Sequence, residues 1–143
     1  MIANVIAFTV PGEPQGKGRP RIGKVGAHAR MFTPAKTVAY EGLVAHAAQQ
    51  AMRDAPLWVG ACRIEVDVLC SVPASWSAKK RAQALAGAIR PTKKPDADNV
   101  LKAVCDGING VVWRDDVQAV EVLLHKAYAM TPKINVRIAC LEV

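Results

Sequence analysis

"KKPDADNVLKAVCDGINGVVWRDD", residues 93–116, holds five of the chain's 12 carboxylates directly behind two lysines, in a protein of net charge +7. The same stretch decides the fold. Val100, Leu101, Val104, Cys105 and Ile108 recur at helical spacing, so "NVLKAVCDGI" (99–108) predicts an amphipathic helix. Asp98 is suited to cap that helix, and Asn109-Gly110 to end it. "VVW" (111–113) then predicts a short strand, "RDD" (114–116) a turn, and Val117 to Ala129 a longer strand.

The flanking chain alternates helices and strands less regularly. "NVIAFTV" (4–10) has strand character and stops at Pro11-Gly12. Residues 12–30, with five glycines and two prolines, predict a long irregular basic loop or a loose hairpin. Thr33-Pro34 offers an N-cap and a first-turn proline for a helix over Pro34–Arg53. Its expected buried side carries Val38, Tyr40, Leu43, Val44, Ala47, Ala48 and Ala51. "CRIEVDVLCSVP" (62–73) reads as a strand with Glu65 and Asp67 on its open face. Ser77 caps a shorter helix over 78–86, residues 89–98 form an extended connector, and "KINVRIACLEV" (133–143) closes as a strand. The order β-α-β-α-α-β-β lacks regular βαβ repetition. It predicts a single α+β domain over residues 1–143, with a mixed or antiparallel β-sheet packed with helices.

A chain of 143 residues that is 51% apolar can bury one real core. No apolar run approaches the roughly 20 residues that cross a bilayer, and the first residues lack the charged start and cleavage site of a signal peptide. The expectation is a cytoplasmic protein with no membrane association. Cys62, Cys70, Cys105 and Cys140 are widely spaced in apolar contexts, and His28, His46 and His125 form no ligand pattern with them. They read as buried free thiols rather than a zinc site.

The charges are segregated. Pro14 to Tyr40 holds six bases (Lys17, Arg19, Arg21, Lys24, Arg30, Lys36) and no acid, and Val68 to Pro95 six more (Lys79, Lys80, Arg81, Arg90, Lys93, Lys94), again with no acid. Solvated surface mixes signs. Two single-sign segments around an acidic cluster resemble grips on a phosphate backbone. Lys17, Arg19, Arg21, Lys24, Lys93 and Lys94 are therefore the candidate nucleic-acid-binding residues.

Taken singly, the acids are ordinary: Asp98 a helix cap, Asp115-Asp116 a turn, and Asp106 an i,i+4 ion-pair partner of Lys102. Together they repel one another unless a cation is present. Asp96 and Asp98, at i and i+2 in an extended segment, would point the same way at a helix N-terminus, which suits a divalent cation. Acids beside cationic grips are what metal-assisted phosphodiester cleavage needs, with a lysine to offset developing charge.

Here the residues resemble a family. "KPDADNVLKAVCDGINGVVWRDD" is similar to the core of the RusA-type Holliday junction resolvases, P-D-x-D-N-x-x-K-x-x-x-D followed by W-x-D-D. "GKGRPR", "TPAKT" and "VEVLLHKAY" look like that family too, so the resemblance covers most of the chain. It implies a RusA-like mixed sheet, and metal-binding catalytic carboxylates at Asp96, Asp98 and Asp116, with Lys102 as the catalytic lysine. Asp115 is the adjacent acid, with Asp116 preferred over it as third ligand. The implied cofactor is Mg²⁺, or Mn²⁺ in its place. The implied partners are branched DNA, a four-way junction, and a second copy in a homodimer that makes paired symmetric nicks in recombination and repair. A bacterial, prophage or phage origin fits such a protein. Two rival readings are a non-catalytic DNA-binding module, which leaves the clustered acids without a purpose, and a flap or branched-DNA endonuclease with the same chemistry.

Overall fold

The computed structural model describes residues 4–26 and 28–142, with the backbone alone for Arg21, Val25 and Arg30. Strands β1 (Val5–Pro11), β4 (Cys62–Ser71), β5 (Ala119–Ala129) and β6 (Lys133–Cys140) form one sheet in the order β1-β6-β4-β5. The β1–β6 and β6–β4 pairs are antiparallel and β4–β5 is parallel. The sheet is thus mixed, and the fold is α+β as expected. Strands β2 (Arg21–Val25) and β3 (His28–Phe32) form a separate two-stranded hairpin. The basic segment is therefore a hairpin in its second half, and the order becomes β-β-β-α-β-α-α-β-β.

Period-two patterning builds the sheet. On β4, Cys62, Ile64, Val66, Val68 and Cys70 point into the core, and Ile134, Val136, Ile138 and Cys140 of β6 continue the same layer. Glu65 and Asp67 fall on the other, open face, where Thr9 donates a hydrogen bond to Asn135 at 2.8 Å. Helices α1 (Ala35–Met52) and α3 (Ala97–Ile108) share the core with the inner face. They approach closely at Gly107, where a Cβ would stand 2.9 Å from Val44 and 3.0 Å from the Glu41 carbonyl oxygen.

Several elements differ from expectation. The inner line of α1 is Thr37, Tyr40, Val44, Ala48 and Met52. Val38 and Leu43 lie on its flank and are 56% and 53% exposed. Thr37 takes an inner place because its hydroxyl accepts the Gly18 N–H at 2.9 Å. Helix α3 starts earlier than the capping pattern implies: the Asp96 carbonyl already accepts the Val100 N–H at 3.0 Å. Asp96, extended, is its N-cap residue without a side-chain capping bond, and Asp98 sits inside the first turn. "VVW" is a turn with isolated bridges rather than a strand, because the Val112 carbonyl accepts from Trp58 and Gly110 donates to Trp113. Gly110 makes this reversal at φ +80°. A 3-10 turn over Asp116–Gln118 delays β5 to Ala119.

The crossover from β4 to β5 runs through α2 (Ala78–Leu85) and α3, since parallel neighbours need a long connection. It carries Asp96, Lys102, Asp106 and Asp116 along one segment. All four cysteines are buried and free, as expected. No helix among the described residues is long and apolar enough to cross a membrane.

Candidate active site

Helix α3 supplies the axis of the site. Asp98, Lys102 and Asp106 are four residues apart and so fall along one side of it. Lys102 Nζ lies 3.2 Å from Asp106 Oδ1 and 3.8 Å from Asp116 Oδ2. The hydrogen bond and charge of Asp106 hold the Lys102 ammonium above the usual lysine value, and Asp116 adds to this.

Asp116 is held from a second direction. The buried Trp113 indole N–H donates to Asn109 Oδ1 at 2.7 Å, and Asn109 Nδ2 donates to Asp116 Oδ2 at 3.4 Å. The C-cap residue of α3 thus ties the core to Asp116. The next turn is fixed by Gln118, whose side-chain oxygen accepts the Arg114 N–H at 3.0 Å. Its amide nitrogen, Nε2, donates to the Trp58 and Gly60 carbonyls at 2.9 and 3.0 Å. Asp115 stands exposed beside this turn.

The basic loop before β2 folds onto the same helix. The Lys17 backbone N–H donates to the Asn99 carbonyl at 2.9 Å. Lys17 Nζ reaches Glu41 and Asp106, each at 3.0 Å. Burial lowers the Lys17 pKa, but the hydrogen bonds and charges of Glu41 and Asp106 outweigh it and hold the ammonium above its usual value. Lys17 is therefore turned inward, part-buried between two acids. Arg19, Lys24, Lys93 and Lys94 are exposed, and the Arg21 side chain lies outside the described residues. Lys93 stands over the Tyr128 ring, 5.9 Å from its centroid.

A cleft of about 660 Å³ opens between loop and helix, and Lys17, Arg19, Lys94, Asp96 and Asn99 line part of it. Asp96 thus shares one concavity with three of the candidate phosphate grips. Asp96 and Asp98 are exposed and, among the described residues, neither makes an ion pair. Among the described residues, no three acidic, histidine or cysteine side chains converge on one point that could hold a metal ion. Asp116 instead faces Lys102 and Asn109, while Asp96 and Asp98 face solvent. All three are carboxylate oxygen donors, Asp96 and Asp98 without a cationic partner and Asp116 beside the Lys102 ammonium, and in chemistry they fit a hard divalent cation.

A family model described as Endodeoxyribonuclease RusA matches residues 11–139. The chain belongs to the RusA endodeoxyribonuclease family. It is also 38% identical, over 135 residues, to the uncharacterized protein YqaN of Bacillus subtilis (strain 168), covering 93% of this chain and 94% of that one. The family match takes in the loop at Lys17, all of α3 and the Asp115-Asp116 turn.

Sequence reasoning missed three partners in this site. Asn109 reads as a helix stop, although its side chain links Trp113 to Asp116. Asp106 reads as a surface partner of Lys102, yet it also binds Lys17. Glu41 has no local signal, because its role depends on the loop crossing α1.

Proposed function

We propose that this RusA-family chain is a divalent-metal-dependent endonuclease that cuts four-way DNA junctions. The observation that carries the reading is Asp96 sharing a cleft with Lys17, Arg19 and Lys94. An acid in a phosphate-binding cleft opposes binding unless a cation stands between them, and metal-assisted cleavage supplies that reason.

Asp96, Asp98 and Asp116 are the proposed ligands of Mg²⁺ or Mn²⁺, with Asp115 as the neighbouring acid. Exposed and without ion pairs, the side chains of Asp96 and Asp98 are free to turn toward an ion. Such an ion would polarise the scissile phosphate and lower the pKa of an attacking water. Lys102, kept protonated by Asp106 and Asp116, offsets charge that develops on the phosphate oxygens. Asn109 holds Asp116 in place. Arg19, Lys24, Lys93 and Lys94 bind the backbone on either side.

Paired nicks in strands related by a two-fold axis need two sites, and the chain carries one acidic cluster. A two-fold homodimer supplies the second. Strand β6 lies between β1 and β4 and has no free edge to offer a second copy. The outer edge of β5, where Val120 and Val122 are exposed, and the flank of α1 at Val38 and Leu43 are the apolar surfaces suited to that contact.

The test is a Mg²⁺ titration with labelled four-way junction, flap and linear duplex. Metal-dependent symmetric nicks in the junction, with little cutting of the others, are expected. Preferential flap cutting would make the chain a flap endonuclease. Binding with no cut at any metal concentration would leave it a DNA-binding module.

A further inference from the structure

Among the described residues the β2–β3 hairpin contributes none to the core, which runs through Val10 on β1 and resumes at Tyr40 on α1. A two-stranded hairpin without a covering layer is marginal in water. Its register pairs Ile22 with Met31 and Lys24 with Ala29, so these four side chains share one face. Ile22 is 73% and Met31 64% exposed there. Phe32 lies on the opposite face and covers Gly23, where a Cβ would overlap its ring.

We propose that this hairpin is an apolar wedge, which places Ile22 and Met31 between base pairs at the branch point. The inference rests on the branched-DNA reading above. Three observations favour bases as the occupant. The hairpin begins two residues after Arg19, which lines the cleft with Asp96, so it is rooted where a phosphate would sit. Five residues of strand reach about 17 Å, further than the roughly 8.5 Å depth of the major groove. The whole segment Pro14–Tyr40 is free of acids, and Lys24 shares the apolar face. Two such hairpins meeting across a two-fold axis would oppose like charges, whereas DNA supplies the complementary sign. Ile22 and Met31 have no groups to read base edges by hydrogen bonding. Apolar side chains beside cations are the chemistry of unstacking, and bases at a crossover have the least stacking to lose.

The test uses a four-way junction with 2-aminopurine beside the crossover, bound without divalent metal, and the double variant Ile22→Ser/Met31→Ser. The wild type should raise the fluorescence severalfold as the base unstacks. The variant should bind within threefold of the wild type, keep its thermal midpoint and raise the signal at least fivefold less. It should cut an intact junction at least tenfold more slowly, but a junction with mismatched pairs at the crossover at less than threefold lower rate. Equal fluorescence from both proteins, or an equal loss of cutting on both junctions, overturns the wedge. So does a variant that sediments as a smaller species than the wild type, which would assign the hairpin to contact with a second copy. A wild type that unstacks the base yet cuts no branched DNA would sink the nuclease reading and leave the wedge standing.

Discussion

Lys17 Nζ stands 3.0 Å from Asp106 Oδ2, so a base of the irregular loop before β2 is held by an acid on the helix that carries Asp98 and Lys102. Glu41 on α1 holds the same ammonium from the other side. The loop, α1 and α3 are thereby fastened at one point beneath the cleft.

Lys17 and Arg19, two residues apart in one basic run, should therefore behave differently. Lys17→Met should release the loop, speed proteolysis within residues 12–20 and lower cutting at least tenfold, with little change in the salt dependence of DNA binding. Arg19→Ala and Lys24→Ala should each flatten the slope of log K against log salt by about 0.9 and leave the loop protected. Salt titrations and limited proteolysis of the three variants check this. A slope change for Lys17→Met as large as that for Arg19→Ala would make Lys17 a phosphate contact.

The carboxylates divide by substitution. Asp96→Asn, Asp98→Asn and Asp116→Asn should each abolish metal-dependent nicking, while junction affinity is kept or rises because phosphate meets one fewer negative charge. Asp115→Asn should keep most activity, since Asp115 is the exposed N-cap residue of the 3-10 turn while Asp116 contacts Lys102 and Asn109. Single-turnover cutting and binding, measured on the same junction, separate the two steps. Full loss in Asp115→Asn alone would exchange the roles of the two acids.

The elements with dense local signal were legible in the sequence: the alternating β4 and β6, the apolar face of α3 and the N-cap Ser77. The α3 boundary was not, because Pro95-Asp96 and Asp98 both carry start signals and backbone bonding chose the earlier. Val38 and Leu43 were misassigned because apolarity alone does not say which side of α1 meets the sheet. Thr37 displaced them through a contact with Gly18, 19 residues away in sequence. The Lys102–Asp106 pair of the candidate site was readable from its i,i+4 spacing. Asn109 and Glu41 were not, because their partners Trp113, Asp116 and Lys17 are brought to them by the turn and the loop crossing.

Gly107 marks the closest approach of α3 to α1. A methyl group there would press on Val44 and on the Glu41 carbonyl oxygen, and backbone cannot rotate aside as a side chain can. Gly107→Ala should destabilise the fold by about 1–3 kcal/mol despite the higher helix propensity of alanine. It should also displace Asp106 from Lys17 and so lower activity. Urea unfolding provides the check, and an unchanged midpoint would mean the two helices can separate at little cost.

Asn109→Ala should both destabilise and slow the protein. It strands the buried Trp113 N–H without an acceptor, at a cost of about 1–3 kcal/mol. It also frees Asp116 from its second contact, so cutting should need more metal and reach a lower maximum. Trp113→Phe removes the donor together with the need for an acceptor, and should restore part of the stability to the double variant without restoring the metal response. Thermal midpoints and metal titrations of the single and double variants distinguish the packing from the positioning.

Alkaline pH should weaken the fold through its buried thiols before any lysine matters. Burial is the main cause that pushes the Cys62 thiol up to about 11, and Cys140, directly opposite on β6, and Glu142 push the same way. In the unfolded chain that thiol ionises near 9.0. Between these values the unfolded state binds fewer protons than the folded one, so stability falls as pH rises. The raised pKa values of Lys17 and Lys102 act in another window. Their stabilisation is fully present below the unfolded lysine value of 10.5 and is lost only as pH climbs through the higher folded values. Tyr40, pushed up to about 12 chiefly by burial, adds its own loss only above its unfolded value of 10.0. A decline in thermal midpoint between pH 9 and 10 is therefore the signature of the thiols, and Cys62→Ala should make it shallower. A slope unchanged in that variant would show that Cys62 ionises alike in the folded and unfolded chain.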